Sequence, residues 1–233
     1  GPTPSSPSAA PDEYKRRVMH RHAPQRTVRL WAEDIHMSAQ GHRGTGYAML
    51  RQHLGHPVAG IALGNASDRV AQVLAQHGVT GAAVSLGGNV YICGQKPDGA
   101  LWSVAVQDPK DTSAYAMTLE LTDTFAVTSG GYQRFFTGED GTVYQHILEP
   151  RTGKPAVTDI LSVTVVAGNG TMADAYSTAI YVMGEEAACD FWRQRGGFDM
   201  VLITADGRVL YTPGLAAHIT QKGASYDFRQ ITT

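Results

Sequence analysis

The sequence predicts an α+β protein, a mainly antiparallel sheet with a few long helices packed on it. Short extended runs bounded by Gly, Pro and Asp turns fill residues 80 to 211, whereas helical spacing is confined to two stretches, starting near Ser67 and near Met172. No internal repeat divides these elements. The 233 residues, 42% hydrophobic and 17% charged, suffice to bury a sizeable core in one domain or two small ones.

Residues 1–11 are Pro-, Ser- and Ala-rich and read as a flexible tail. They contain neither a basic n-region nor an apolar h-region, and they read equally as an appended remnant or as a linker exposed after a leader is removed. Residues 12–56 form a basic, His-rich segment with eight Lys/Arg against four Asp/Glu and six of the nine histidines. Its fold is not assigned by pattern. The His20 and His22 pair reads as solvated rather than ligating, and the stretch from Gly41 to Gly46 lacks the strand and GK[ST] ending of a phosphate loop. A net charge of −2 and the lack of an aromatic series argue against nucleic acid as a partner. No apolar run approaches the roughly 18 residues of a spanning helix. Residues 57–233 are expected to form the principal domain.

Within it, Val70, Val73 and Leu74 share one helical face, with Ser67 or Asp68 as the expected cap and Gly78 as the stop. Thr80–Leu86 reads as an apolar strand ending at Gly87–Gly88, and Asn89–Cys93 as a second strand. The turn Lys96–Gly99 then predicts a hairpin with Leu101–Val106 as its return strand. Ala116–Leu121 and Phe125–Val127 follow, the latter running into Thr128, Ser129, Gly130 and Gly131. Gly138–Gly141 is a predicted hairpin turn, with Thr142–Leu148 as its second strand. Leu161–Ala167 is β-branched enough to be a buried strand. Apolar residues spaced by three or four predict one helix over Met172–Arg195, stopped by Gly196–Gly197. A hairpin around Asp206–Gly207 closes the pattern.

Candidate chemistry gathers between Tyr144 and Thr178. Asp174 and Thr178 stand four apart, so a helix places them one turn from each other on one face. A carboxylate and a neutral hydroxyl suit Mg²⁺, a hard cation that prefers oxygen. The competing reading is a capping box from Thr171 to Asp174, in which Asp174 only satisfies a helix terminus. His146, in a predicted strand, is either structural or placed to bond a phosphate or move a proton near neutral pH. Gly87, Gly88 and Asn89, and likewise Thr128, Ser129 and Gly130, end strands where small side chains and backbone N–H groups can line a ligand, although each is also an ordinary turn. Cys93 and Cys189 form no CxxC pair, and no Ser-His-Asp set competes.

Taken in order, these motifs resemble the ApbE family, the FAD:protein FMN transferases, over roughly Gly60 to Tyr211. The run from Gly87 to Val90, followed by Lys96–Trp102 and Asp108–Pro109, is similar to the family's GGN and PDG…W…DP stretch. Ala126–Tyr132 resembles its TSG strand, His146–Gly153 its H-I-x-D-P-x-T-G signature, and Ala173–Ala179 its ADALSTA helix start. The resemblance implies an enzyme that uses Mg²⁺ and moves FMN from FAD to a Thr or Ser hydroxyl of an acceptor flavoprotein, such as a subunit of an ion-pumping redox complex, releasing AMP. It implies Asp174 and Thr178 as Mg²⁺ ligands, joined by a backbone carbonyl near Gly60, and His146 beside the diphosphate. Gly87, Gly88, Asn89, Thr128, Ser129 and Gly130 would line the flavin nucleotide. An extracytoplasmic location, periplasmic or at the cell surface and conceivably as a lipoprotein, is implied in the same way.

The family turn D-L-G-G-I-A-K-G-Y-A stands here as Pro57–Ala66, with Pro57 for the acid, Leu63 for the lysine and Asn65 for the tyrosine. Glu149 replaces the signature's aspartate, and residues 1–56 show none of the patterns of the family's N-terminal half. These departures keep two alternatives in view: an FAD-binding module without catalysis, and an FAD hydrolase giving FMN and AMP.

Overall fold

The computed structural model describes residues 27–30, 59–133, 135–139, 141, 143–221 and 225–232. The tail 1–11, His20, His22, the loop 41–46 and Pro57 lie outside them. Strand β1 (Thr27–Leu30) pairs in parallel with β2 (Gly81–Leu86). Helix α1 (Ala59–Gln76) precedes β2, and β3 (Asn89–Gly94), β6 (Thr124–Gly130) and β9 (Ile160–Ala167) follow in antiparallel register. Two helices, α2 (Gly170–Met183) and α3 (Glu185–Arg195), lead into β10 (Asp199–Thr204) and β11 (Arg208–Tyr211). With the edge strand β13 (Asp227–Gln230) these make an eight-stranded sheet ordered β1-β2-β3-β6-β9-β10-β11-β13.

Both faces of this sheet are covered, so its central strands bury residues of both faces, including the polar Ser162 and Thr164 of β9. Phe125, Val127, Val163, Val165, Met200 and Leu202 face the helices and pack with Ala173, Ile180 and Ala188. Their neighbours Ala126, Val166, Val201 and Ile203 face the other way, onto a second sheet of β4 (Trp102–Gln107), β5 (Tyr115–Leu121) and β12 (Ile219–Gln221). The architecture is therefore α+β in three layers, and most strand pairs are antiparallel as expected. A small hairpin, β7 (Phe135–Thr137) with β8 (Val143–Gln145), stands apart from both sheets. Among the described residues no helix is long and apolar enough to cross a membrane.

Three sequence expectations are corrected. First, β4 does not return against β3, because both edges of β3 are taken by β2 and β6. Gly94, at φ 54° and held by Asp123 Oδ1 at 2.7 Å, turns the chain out of the large sheet. Trp102 and Val106 then roof its far face. Second, the pattern from Met172 to Arg195 is two helices. Gly184 breaks it at φ 78°, and Asp159 Oδ1 accepts the Glu185 N–H at 3.1 Å to restart the next turn. Third, α1 begins eight residues before Ser67, so Ser67 and Asp68 are interior to it. The Ser67 hydroxyl merely bonds back to the Leu63 carbonyl at 3.0 Å. Gly64 is a poor helix former, but its packing against α2 outweighs that propensity.

Candidate active site

The site is built where α1 crosses the start of α2. A Cβ on Gly64 would lie 2.5 Å from the Gly170 carbonyl oxygen, 2.7 Å from Thr171 Cα and 2.8 Å from Asp174 Cβ. Only glycine permits this approach. It brings the Gly64 N–H to Asp174 Oδ2 at 2.7 Å, a buried hydrogen bond between residues 110 positions apart. Asp174 is therefore not a cap. The α2 terminus is satisfied by Asn169, whose side chain accepts the Met172 N–H at 2.8 Å, and by Asp68 reaching across from α1.

Asp174 is 5% exposed. Burial pushes its carboxyl above the ordinary value, and the Gly64 N–H opposes that shift. The Asn89 amide, buried at the start of β3, also favours the charged form, although its Nδ2 is too poorly placed for a formal hydrogen bond. No cationic side chain pairs with Asp174 among the described residues. A buried carboxylate without a cation is costly to keep ionised.

One turn along α2, Thr178 Oγ1 lies 3.4 Å from the Asp174 carbonyl and 3.2 Å from Ser129 Oγ of β6. Ser129 also meets Ser177 Oγ at 2.9 Å. The hydroxyls of Ser129, Ser177 and Thr178 thus gather at the Asp174 backbone carbonyl, on the helix that carries the buried carboxylate. Among the described residues no three His, Cys, Asp or Glu side chains cluster for a metal. The donor set at Asp174 is hard and mostly neutral, which fits Mg²⁺ completed by ligand phosphate better than a thiophilic ion.

Other expected residues fall into place unevenly. Gly87 and Gly88 form the β2–β3 turn at φ 58° and 104°, the left-handed pair a tight two-residue hairpin requires. A Cβ on Gly87 would stand 3.6 Å from Leu63 Cδ1, so Leu63 lies against the glycine turn leading to Asn89. Gly60 sits in the first turn of α1, and the glycine that touches Asp174 is Gly64. Thr128 is turned away: alternation puts it on the opposite face of β6 from Ser129, where its hydroxyl meets Thr164 Oγ1 at 2.9 Å. His146 is not in a strand, because β8 ends at Gln145 and His146 follows in an exposed bend. Gln145 connects it to the helix, since the Tyr181 hydroxyl, one turn beyond Thr178, donates to Gln145 Oε1 at 2.8 Å. Burial raises the Tyr181 pKa.

Beside these residues lies a cavity of about 420 Å³ whose walls include Gly131, Tyr132, Phe135, Gln145, Val157 and Tyr181. A Cβ on Gly131 would meet Gln145 and would lie 2.6 Å from the Tyr181 hydroxyl, so this second glycine of the strand end keeps the wall open. Sequence reasoning missed Gly64 and Asp68. The signal for both was their repeat every four residues on one helix face, which glycine and aspartate disguise as a turn.

The match with known proteins decides the family. The model of the ApbE family matches residues 11–202, most of the chain. This chain belongs to the ApbE family. Its relatives include the FAD:protein FMN transferase of Treponema pallidum, 38% identical over 168 residues, a span of 68% of this chain and 46% of that protein. The protein of the same name from Escherichia coli K12 is 34% identical over 63% of this chain and 42% of its own length. Among solved structures, the ApbE protein of Thermotoga maritima superposes with a TM-score of 0.60 at 32% identity, covering 70% of this chain and 52% of that one. The apo flavinyl transferase ApbE of Pseudomonas stutzeri gives 0.54 at 33% identity over 64% and 45%. The chain spans just under half the length of the curated relatives it matches.

Proposed function

We propose that this ApbE-family chain carries the phosphate-side half of a flavin transferase site, moving FMN from FAD to a Thr or Ser hydroxyl of an acceptor protein. The observation that carries the reading is Asp174, a buried carboxylate fixed by the Gly64 N–H and lacking a cationic partner among the described residues, with the Thr178 hydroxyl one turn along the same helix. Names of relatives supply the reaction: the Treponema pallidum and Escherichia coli proteins are FAD:protein FMN transferases.

In this reading Asp174 and Thr178 hold Mg²⁺, with a backbone carbonyl from the start of α1. When bound, the ion neutralises diphosphate charge and favours departure of AMP. The chain's own residues have simpler work. The Gly64 N–H orients Asp174 and, with the Asn89 amide, offsets part of the cost of its charge, while Ser129, itself bonded to Ser177, steadies the Thr178 hydroxyl. His146, exposed beside the Gln145–Tyr181 bond, is the group placed to bond a diphosphate oxygen or take the acceptor's proton. The acceptor oxygen forms a new bond to the FMN phosphorus as the bond from that phosphorus to the bridging oxygen breaks. AMP leaves with that electron pair, and the hydroxyl proton passes to a base or to water. The apolar-walled cavity near Tyr181 suits one of the two ring systems of FAD. Action outside the cytoplasm, on an acceptor such as a subunit of an ion-pumping redox complex, belongs to the same proposal and rests on family resemblance.

The test is intact-mass spectrometry of an acceptor bearing a flavinylation threonine, incubated with this chain, FAD and Mg²⁺. A gain of FMN minus water that chelation abolishes supports transfer, and its loss in Asp174→Ala assigns the site. AMP release without acceptor labelling would replace transfer with hydrolysis. A second reading, FAD binding without catalysis, is favoured by Leu63, an apolar side chain standing against the Gly87 turn where the family pattern has lysine. Bound flavin with neither AMP nor labelled acceptor would establish it.

A further inference from the structure

We propose that Asp68 is the positioning residue of the Asp174 site, fixing the axial register of α1 against α2 so that the Gly64 N–H meets the Asp174 carboxylate. The inference rests on the reading of Asp174 as the functional carboxylate, but its structural half stands without it. Asp68 Oδ1 accepts the Gly170 N–H at 2.7 Å. Its Oδ2 accepts the Thr171 N–H at 2.9 Å, the Thr171 hydroxyl at 2.6 Å and the Asn169 amide at 3.3 Å. A residue in the interior of one helix thus caps the first turn of another.

The geometry makes this a register device. Gly64 and Asp68 are one turn apart on α1, and their partners, Asp174 and the pair Gly170 and Thr171, are one turn apart on α2. The two contacts act as successive rungs. A slip of one residue along the axis, about 1.5 Å, breaks both together. At the Gly64–Gly170 crossing itself two glycines face each other, so that point of contact contributes no side chain to hold the alignment.

Asp68 also decides how an anionic ligand can reach the site. A helix N-terminus carries the positive end of the dipole and N–H groups without partners in the helix itself, an ordinary place for a phosphate. Here a resident carboxylate fills it. A diphosphate must therefore approach the side of α2 that bears Asp174 and Thr178, where the local charge is negative and a cation is needed to receive it.

The test uses the full chain and its Asp68→Asn and Asp68→Ala variants. Amide hydrogen exchange on the metal-free protein is the first readout. Removing the cap should cost the Gly64 amide about tenfold in protection beyond any change in the β9 and β10 amides, with Asp68→Asn, which keeps one acceptor oxygen, losing less. The second readout is the Mg²⁺ concentration giving half-maximal FMN transfer, expected to rise about tenfold in Asp68→Ala while saturating Mg²⁺ recovers most of the rate. General destabilisation would instead lower activity at every Mg²⁺ concentration. Should Asp68→Ala not fold, Asp68→Asn carries both readouts. Unchanged Gly64 protection relative to the sheet overturns the proposal. Loss of protection in a chain whose wild type transfers no FMN leaves the positioning role standing and removes the transferase reading.

Discussion

Replacing Gly64 with alanine should destabilise this protein, against the usual direction of the change. In an exposed helix interior the substitution stabilises by up to about 1 kcal/mol, because glycine costs more backbone entropy. At Gly64 the new methyl would stand 2.5 Å from a carbonyl oxygen and 2.7 Å from an α-carbon of α2, both backbone atoms that cannot rotate away. Restoring contact near 3.4 Å requires the helices to separate by somewhat less than an ångström. Overpacking of that kind costs about 1–3 kcal/mol. The same shift stretches the 2.7 Å bond from the Gly64 N–H to Asp174, a bond to a charged group worth about 1.5–3 kcal/mol. Set against the propensity gain, the net loss is about 2–4 kcal/mol, a large fraction of ordinary domain stability. Urea denaturation of wild type and Gly64→Ala reads it as a lower midpoint at constant slope. An equal or higher midpoint would show that α1 and α2 do not touch at Gly64, and the construction of the site would fall with that contact.

Asp174→Asn should raise the melting temperature of the metal-free protein at neutral pH while abolishing FMN transfer. The folded carboxyl has a raised pKa, so its unfavourable ionisation grows as pH rises above the ordinary carboxylate value, and the amide escapes it; a melting temperature that falls instead would mean that the carboxylate is well compensated. Asp206 behaves oppositely. Bonds from the Thr204 hydroxyl and then Arg208 hold its pKa down at about 2, so its stabilising contribution is present above the unfolded value and fades as pH falls toward 2. The melting difference between wild type and Asp206→Asn should accordingly be seen at pH 6 and vanish near pH 2. Gly184→Ala places a side chain at φ 78° and 3.2 Å from Asp159 Oδ1, and should cost about 1–2 kcal/mol in chemical denaturation. No loss would mean that α2 and α3 run on as one helix in solution.

Much of the fold was legible because its signals are local. The run Leu161–Ala167 puts Val163, Val165 and Ala167 on one face and Ser162, Thr164 and Val166 on the other, and its β-branched residues suit a strand covered on both sides. The turn at Asp206–Gly207 and the stop at Gly196 follow from residue types that tolerate positive φ. What could not be read depends on partners distant in sequence. Trp102 and Val106 alternate equally well for a return strand beside β3 or a roof over the far face, and only the prior occupation of both β3 edges decides. Likewise Gly64 looks like punctuation until α2 lies against it. At the candidate site, spacing singles out Asp174 and Thr178 and a strand end singles out Ser129, and the structure brings Ser129 to Thr178 at 3.2 Å. Thr128 was chosen with it, but a strand sends neighbouring side chains to opposite faces, so only one of the two could reach α2.

Spacing alone leaves Asp174 open between cap and ligand; the structure removes the cap, and comparison with other described carboxylates sets the surroundings of Asp174 apart. Glu185 forms a two-point ion pair with Arg208 at 2.6 and 2.7 Å, and Asp190 meets Arg193 at 2.8 Å. Asp68 gathers the open N–H groups of a helix, and Asp199 accepts the Thr212 hydroxyl at 2.6 Å. Each of these acids is matched by cations or donors that account for its place. Asp174 is more deeply buried than any of the three acids that meet a cation or the helix end, yet it receives one backbone N–H and a misaligned amide. Folding alone gives no reason to keep a charge there, since a neutral side chain of the same shape would cost less. Under the proposed reading a bound cation supplies the missing positive charge, and the Thr178 hydroxyl one turn along α2 is the neutral oxygen that would share it.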